Sequence, residues 1–231
     1  MTALQLPLDL QFRPAYGRDD FLITKSNQDA VALLDAWPHG WGGFPVLTIY
    51  GAGGSGKSHI AAVWAQKADA DLLSAEAFEK ASIQNLIDAK RNYVLERLDL
   101  LTGDVQREQK LFHLYNAQNA EKRSILITSH IAPGKLEFSL RDLQSRLRAS
   151  PAVQINQPDD DLLCYVFAKQ LHDRGFAVTD NVTRYAVERM ERSWGAMDQM
   201  IAALSTRATS EKKGITISLV RAVLVESDQA S

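Results

Sequence analysis

Apolar positions along the first two thirds of the chain fall into two alternating rhythms. Short runs, Val46-Leu47-Thr48-Ile49-Tyr50, Asp71-Leu72-Leu73, Tyr93-Val94-Leu95, Ser124-Ile125-Leu126-Ile127-Thr128 and Val153-Gln154-Ile155, predict strands. Helical spacing lies between them. Residues 29–37 carry it up to Pro38, where a glycine-rich connection begins. Residues 105–118 carry it again, with Val105, Leu111, Phe112 and Tyr115 on one side. Strands that alternate with helices predict a parallel sheet covered on both faces.

After Asn156-Gln157-Pro158 only the helical rhythm remains. Leu162, Leu163, Val166, Phe167 and Leu171 form one apolar face; Val182, Tyr185, Ala186 and Met190 form a second. Trp194, Met197, Ile201 and Leu204 form a third, and Ile217, Val220 and Leu224 a last short one. The expected organisation is therefore an extended arm over residues 1–18, an α/β domain over 19–157 and a small all-helical domain over 158–231. The arm follows from two prolines and the charged exit Arg18-Asp19-Asp20.

The chemistry is concentrated behind the first strand, in Gly51-Ala52-Gly53-Gly54-Ser55-Gly56-Lys57-Ser58. An apolar run precedes it and His59-Ile60-Ala61-Ala62-Val63-Trp64 follows, which is the strand, loop and helix order of a P-loop. Glycines let successive backbone N–H groups turn inward on phosphate oxygens. Lys57 is then expected at the β- and γ-phosphates, Ser58 on Mg²⁺, and the helix N-terminus adds its positive end. A nucleoside diphosphate or triphosphate is the expected ligand.

Composition narrows what is done with it. The 231 residues include 26 basic and 28 acidic ones, a net charge of −2, so strong direct DNA binding by the whole chain is not expected. Cys164 is the only cysteine, which excludes an internal disulfide and a cysteine zinc site. His39, His59, His113 and His172 form no recognisable ligand pattern for a transition metal. The N-terminus lacks signal-peptide character and no apolar run is long enough to span a bilayer, so a cytoplasmic protein is expected.

Further segments carry a family likeness. Phe21-Leu22-Ile23-Thr24-Lys25-Ser26-Asn27 resembles the segment that contacts adenine in DnaA-type initiators. Phe112-His113-Leu114-Tyr115-Asn116, Leu126-Ile127-Thr128-Ser129-His130 and Asp142-Leu143-Gln144-Ser145-Arg146-Leu147 resemble their later boxes, in order, over residues 20–225. A P-loop base followed by a small helical lid is the AAA+ arrangement. DnaA initiators continue into a helix-turn-helix domain where this chain stops, so it is more similar to the short Hda regulators of the same branch. Gln5-Leu6-Pro7-Leu8-Asp9-Leu10 resembles their clamp-binding peptide. Its amide offers both donor and acceptor, while Leu6, Leu8 and Leu10 suit an apolar pocket.

The resemblance implies a negative regulator of replication initiation, held on the DNA polymerase III sliding clamp (β subunit) by Gln5, Leu6, Leu8 and Leu10. It implies ATP hydrolysis on the partner DnaA, activated by Arg146 as an arginine finger. ADP or ATP with Mg²⁺ is the implied cofactor, bound by Phe21, Leu22, Ile23, Gly51, Gly53, Gly54, Ser55, Gly56, Lys57, Ser58 and Thr128. Glu96 stands where the magnesium carboxylate belongs, and Ser58 is the other metal ligand. Departures accompany it. Arg97 replaces a neighbouring acid and cannot act as a general base. Asp99 either compensates or is a strand-end surface residue. Thr128 or Ser129 is a first sensor or a strand cap. Gly195 occupies the place of a second sensor arginine, with Arg192 one turn earlier as a substitute or a solvated residue. These departures suit binding more than hydrolysis. The alternative is a self-sufficient AAA+ ATPase or helicase-loader-type protein, and a homo-oligomer stays open.

Overall fold

The structure, a computed structural model, describes residues 23–229, with side chains to residue 226. Five strands, β1 (Val46–Tyr50), β2 (Ala70–Leu73), β3 (Asn92–Leu95), β4 (Ile125–Ser129) and β5 (Ala152–Gln154), make one sheet in the order β2-β3-β4-β1-β5. Every pairing is parallel. A parallel neighbour needs a crossover, and helices supply it: α1 (Gln28–Asp35) precedes β1, and α2 (Lys57–Ala68) joins β1 to β2. Between β2 and β3 lie α3 (Ala75–Lys80) and α4 (Ile83–Asp88), then α5 (Val105–Ala120) before β4 and α6 (Arg141–Ala149) before β5.

Alternation along the strands sorts side chains onto two buried faces. Leu47, Ile49, Val94 and Leu126 face α1 and α2, meeting Val31, Leu34, Ile60 and Trp64. Trp64 stacks on Trp41 at 5.4 Å and meets Trp37 edge-on at 5.6 Å. Tyr93, Leu95, Ile125 and Ile127 point the other way, into a core shared with Leu111 and Leu114 of α5 and Leu143 and Leu147 of α6. Hydrophobic burial on both faces is what holds the sheet central.

The chain divides into two compact units at Asn156–Gln157, with Gly53–Ser55 grouped in the second. The second unit is helical: α7 (Asp160–Asp173), α8 (Asp180–Val187), α9 (Trp194–Glu211) and α10 (Ile217–Gln229). Their stripes meet in one core containing Leu163, Phe167, Ala186, Met197, Ile201, Leu204 and Val220. Asp159 accepts from the Leu162 N–H and Ser193 from the Ala196 N–H, capping α7 and α9.

Some elements differ from the pattern. α1 stops at Asp35, short of the expected 37, because chain entering a proline resists helical geometry. The fourth strand runs one residue later than its apolar run and takes in Ser129. Val105 does not join the α5 core but is 50% exposed, while Leu114 is fully buried. The short helices α3 and α4 have no clear signature, since six residues are too few for a 3.6-residue period to show.

Candidate nucleotide site

Sheet register assembles the site. Tyr50 pairs with Ser129, and Leu95 with Ile127, so Glu96 comes level with Thr128 and Gly51 with His130 along the edge formed by the carboxyl ends of β1, β3 and β4. Ligands of open α/β sheets bind at this edge. The Gly51 N–H donates to the Ser129 carbonyl at 3.2 Å, pinning the start of the loop to β4. Gly54 and Gly56 take φ of 69° and 96°, values that side-chain-bearing residues resist. Lys57 is buried, and its ammonium donates to the Gly51 and Ala52 carbonyls at 2.8 and 2.6 Å. Burial lowers its pKa; the Asp99 charge opposes that shift and the Arg97 charge adds to it. Ser58, the second residue of α2, is exposed, while Ser55 is buried. Ile23 packs against the α1–α2 core. Gln5, Leu6, Leu8, Leu10, Phe21 and Leu22 lie outside the described residues.

The polar centre behind the loop is an Arg97–Asp99 pair. Arg97 sits in the left-handed region, φ 63°, where its N–H donates to the buried Thr128 hydroxyl at 3.2 Å. Its Nε and Nη2 both donate to one Asp99 oxygen, at 2.9 and 2.8 Å. The other Asp99 oxygen accepts the His130 N–H at 3.0 Å and the Ser129 hydroxyl at 3.4 Å. Burial pushes the Asp99 carboxyl up, but the Arg97 hydrogen bonds and the His130 N–H outweigh it, and the pKa ends below the usual carboxylate range. Burial lowers the pKa of His130, the Arg97 and Lys57 cations add to that shift, and the Asp99 charge opposes it. Asp99 is therefore neither an idle surface residue nor an available base. It is a strut tying the end of β3 to the end of β4. Thr128 and Ser129 are engaged in the same brace.

Magnesium is the metal that the loop pattern implies. Glu96 is half-buried, and no partner of its carboxylate is found among the described residues. Ser58 adds one hydroxyl. Both Asp99 oxygens are taken, and a permanent cation follows Glu96 where a second acid is needed. One carboxylate and one hydroxyl, with phosphate oxygens and water completing the shell, are donors that suit Mg²⁺ beside a nucleotide, and the Arg97 cation is the departure from that set. Among the described residues, no group of three or more His, Cys, Asp or Glu side chains is placed to hold a metal ion.

Arg146 lies elsewhere, on α6. Its guanidinium carbon sits 4.9 Å from the Phe112 ring centre and 5.3 Å from that of Tyr115, both on α5. Aromatic faces attract the charge without using the N–H donors, and no acceptor for them is found among the described residues. Arg148 donates to the Gly134 carbonyl at 3.2 Å. Arg192 is engaged too: it pairs with Asp160 at 2.8 Å on an exposed surface. Gly195 opens α9, and a Cβ built there meets nothing within 4 Å.

Sequence reasoning missed Glu108. It is 1% exposed and accepts backbone N–H groups of Gly103 at 2.8 Å, Ser139 at 3.1 Å and Leu140 at 2.6 Å. Leu140 is the N-cap of α6 and has no polar side chain of its own to offer, so Glu108 does the capping from α5. The signal was present: positions 108, 111, 112 and 115 share one helical face, and a carboxylate within an apolar stripe asks for buried partners. Lys110 was missed as well; its ammonium closes the end of α3 through the carbonyls of Phe78, Glu79 and Ala81.

Comparison with known proteins agrees with this architecture. A family model described as "Hda, lid domain" matches residues 160–224. The chromosomal replication initiator protein DnaA of Flavobacterium psychrophilum is 23% identical over 239 residues, covering 95% of this chain and 50% of that protein. An uncharacterized Haemophilus influenzae protein is 25% identical over 235 residues, covering 95% and 98% respectively. Domain III of the Thermotoga maritima replication initiation protein DnaA superposes with a TM-score of 0.77 at 19% identity, over 94% of this chain and 98% of that one. AMPPCP-bound DnaA from Aquifex aeolicus gives 0.70 at 20% identity, over 85% and 67%. At such identities the structural likeness shows the fold. The chain spans half the length of the DnaA relative it matches. Sheet order, helical lid and sequence likeness together give the chain an AAA+ fold similar to that of DnaA, with a lid similar to that of Hda.

Proposed function

We propose that this chain is a nucleotide-bound regulator of replication initiation that promotes hydrolysis of ATP held by DnaA. In this reading its own P-loop binds ADP or ATP to organise the base, and Arg146 acts in trans on the partner's nucleotide. Gln5, Leu6, Leu8 and Leu10 hold it on the DNA polymerase III sliding clamp, and it works in the cytoplasm. No described helix is long and apolar enough to cross a membrane.

The observation that carries the proposal is the state of Arg146. Its guanidinium is positioned by two aromatic rings and neutralised by no carboxylate among the described residues. A planar, permanently charged group held ready in this way can meet charge developing on a transferring phosphoryl group. Arginine fingers are worth about 10³–10⁵ in rate where they act. The chain's own site supports the division of labour, because Asp99 is committed to Arg97 and no second sensor arginine is present at Gly195.

The test is phosphate release from DnaA-bound ATP, with and without DNA-loaded clamp. The expected result is clamp-dependent release, lost with Arg146→Ala and with a combined Gln5→Ala, Leu6→Ala, Leu8→Ala variant. Absence of stimulation by a folded, nucleotide-binding chain overturns the regulator reading. The Glu96 carboxylate, without a partner among the described residues, favours the self-sufficient ATPase instead. Turnover by the isolated chain, abolished by Glu96→Ala, would establish that reading.

A further inference from the structure

Glu108, Phe112 and Tyr115 share one face of α5, and together they hold α6 at its start and at Arg146. Resting on the regulator reading above, we propose that Glu108 is a positioning residue for Arg146. Its carboxylate fixes the start of α6, so that the guanidinium meets the partner's nucleotide in one place.

The helix cannot fix its own start. Its N-cap is Leu140, which makes no side-chain cap, and three residues on stands Leu143, fully buried in the core. A capping box draws one acceptor from each of those two positions, and α6 has neither. The N–H groups of Ser139 and Leu140 turn instead to Glu108, at 3.1 and 2.6 Å, each to a different oxygen. The oxygen that takes Ser139 also accepts the Gly103 N–H at 2.8 Å, which ties in the loop leading to α5. Glu108 is fully buried, so it lies out of reach of any partner protein. Whatever it does for a partner it does through α6.

Packing alone sets the direction of α6 less tightly. Leu143 and Leu147 meet Leu111 and Leu114 in one apolar core, and apolar attraction has no preferred direction. Hydrogen bonds do have one. Leu140 and Arg146 stand about 9 Å apart along the helix axis. The Glu108 carboxylate holds the first, while the Phe112 and Tyr115 rings receive the second at 4.9 and 5.3 Å. Two attachments set the direction of a helix, whereas one leaves it free to swing. A polar residue at 140 would cap α6 without burying a charge, which is costly, but it would add no link to α5.

The experiment titrates the full chain into DnaA-bound ATP with DNA-loaded clamp, and separates the maximal rate of phosphate release from the half-saturating concentration. Variants are Glu108→Ala and Glu108→Gln, whose amide oxygen keeps part of the acceptor set, each with and without Arg146→Ala. Thermal unfolding gives the folded fraction. Glu108→Ala is expected to lower the maximal rate by roughly tenfold to a hundredfold, the scale of a misplacement of about 1 Å, with half-saturation within about threefold of the wild type. Glu108→Gln should fall between the two. In the Arg146→Ala background neither substitution should lower the rate further, because a residue that acts through Arg146 has nothing left to position. A merely structural loss behaves otherwise: it removes folded chain, raises the half-saturating concentration and leaves the maximal rate. A wild-type maximal rate with Glu108→Ala overturns the proposal, and so does an equal fold-loss in both backgrounds. Should Glu108→Ala not fold, a wild-type maximal rate with Glu108→Gln has the same meaning. No release with the folded wild type overturns the regulator reading itself, and the positioning role with it.

Discussion

Asp99 and Glu108 are two buried carboxylates with opposite surroundings, and they predict different behaviour. Asp99 faces a guanidinium, and its pKa is lowered in the fold despite burial. A carboxyl with a depressed folded pKa adds stability above its unfolded pKa and loses it as pH falls through the folded one. Stability should therefore drop as pH falls below about 4, and Asp99→Asn should be less stable at pH 7 with a flatter acid limb. Thermal unfolding of both proteins across the acid range checks this; parallel limbs would count against it. Glu108 faces only backbone N–H groups. Glu108→Ala leaves them buried without an acceptor and should cost about 2–3 kcal/mol in urea unfolding, with Glu108→Gln costing less. Both carboxylates were visible in the sequence as residues. Their roles were not, because besides Arg97 two residues away Asp99 is held by the Ser129 hydroxyl and His130 N–H at the end of β4, and the partners of Glu108 include residues about thirty positions away.

At the scale of elements, α6 owes its start to α5. An N-cap leucine offers no side-chain acceptor, and Glu108 supplies one from the neighbouring helix while Phe112 and Tyr115 receive Arg146. If Arg146 acts on a partner as proposed, loss of Glu108 should therefore reduce that activation more than it reduces nucleotide binding by the chain. Measuring the two side by side separates disturbed positioning from general unfolding. α9 gives a simpler case. Gly195 is not in the positive-φ region and its Cβ direction is open, so Gly195→Ala should stabilise the chain by up to about 1 kcal/mol, the usual helix preference of alanine over glycine. Denaturant midpoints decide it. The helical stripes of α7 to α9 were legible because their apolar faces repeat over several turns, whereas α3, α4 and the exposure of Val105 depend on what lies opposite.

For the whole molecule, nucleotide binding should register as stability. A ligand at about one hundred times its Kd adds roughly 2.7 kcal/mol to a chain that binds it only when folded. ADP is expected to raise the melting temperature of the wild type but not of Lys57→Ala, as followed by scanning calorimetry. The sequence by itself determined the class of fold. Strand-length apolar runs separated by helical stripes demand a parallel sheet, and a glycine-rich loop between the first strand and its helix demands an anion at that point. Local spacing and local chemistry suffice for both. The condition of the site was decided only by the tertiary structure. Parallel strand order set Glu96, Arg97, Thr128 and Gly51 along one edge of the sheet from three distant stretches of chain. The Ser129 hydroxyl and His130 N–H at the end of β4 took the Asp99 oxygen that Arg97 leaves, and so completed the change of Asp99 from a candidate acid into a counter-ion. Arg146 came to rest on two aromatic rings, and Arg192 was drawn to Asp160. Charge pairing and burial depend on neighbours in space, and one-dimensional spacing does not contain them.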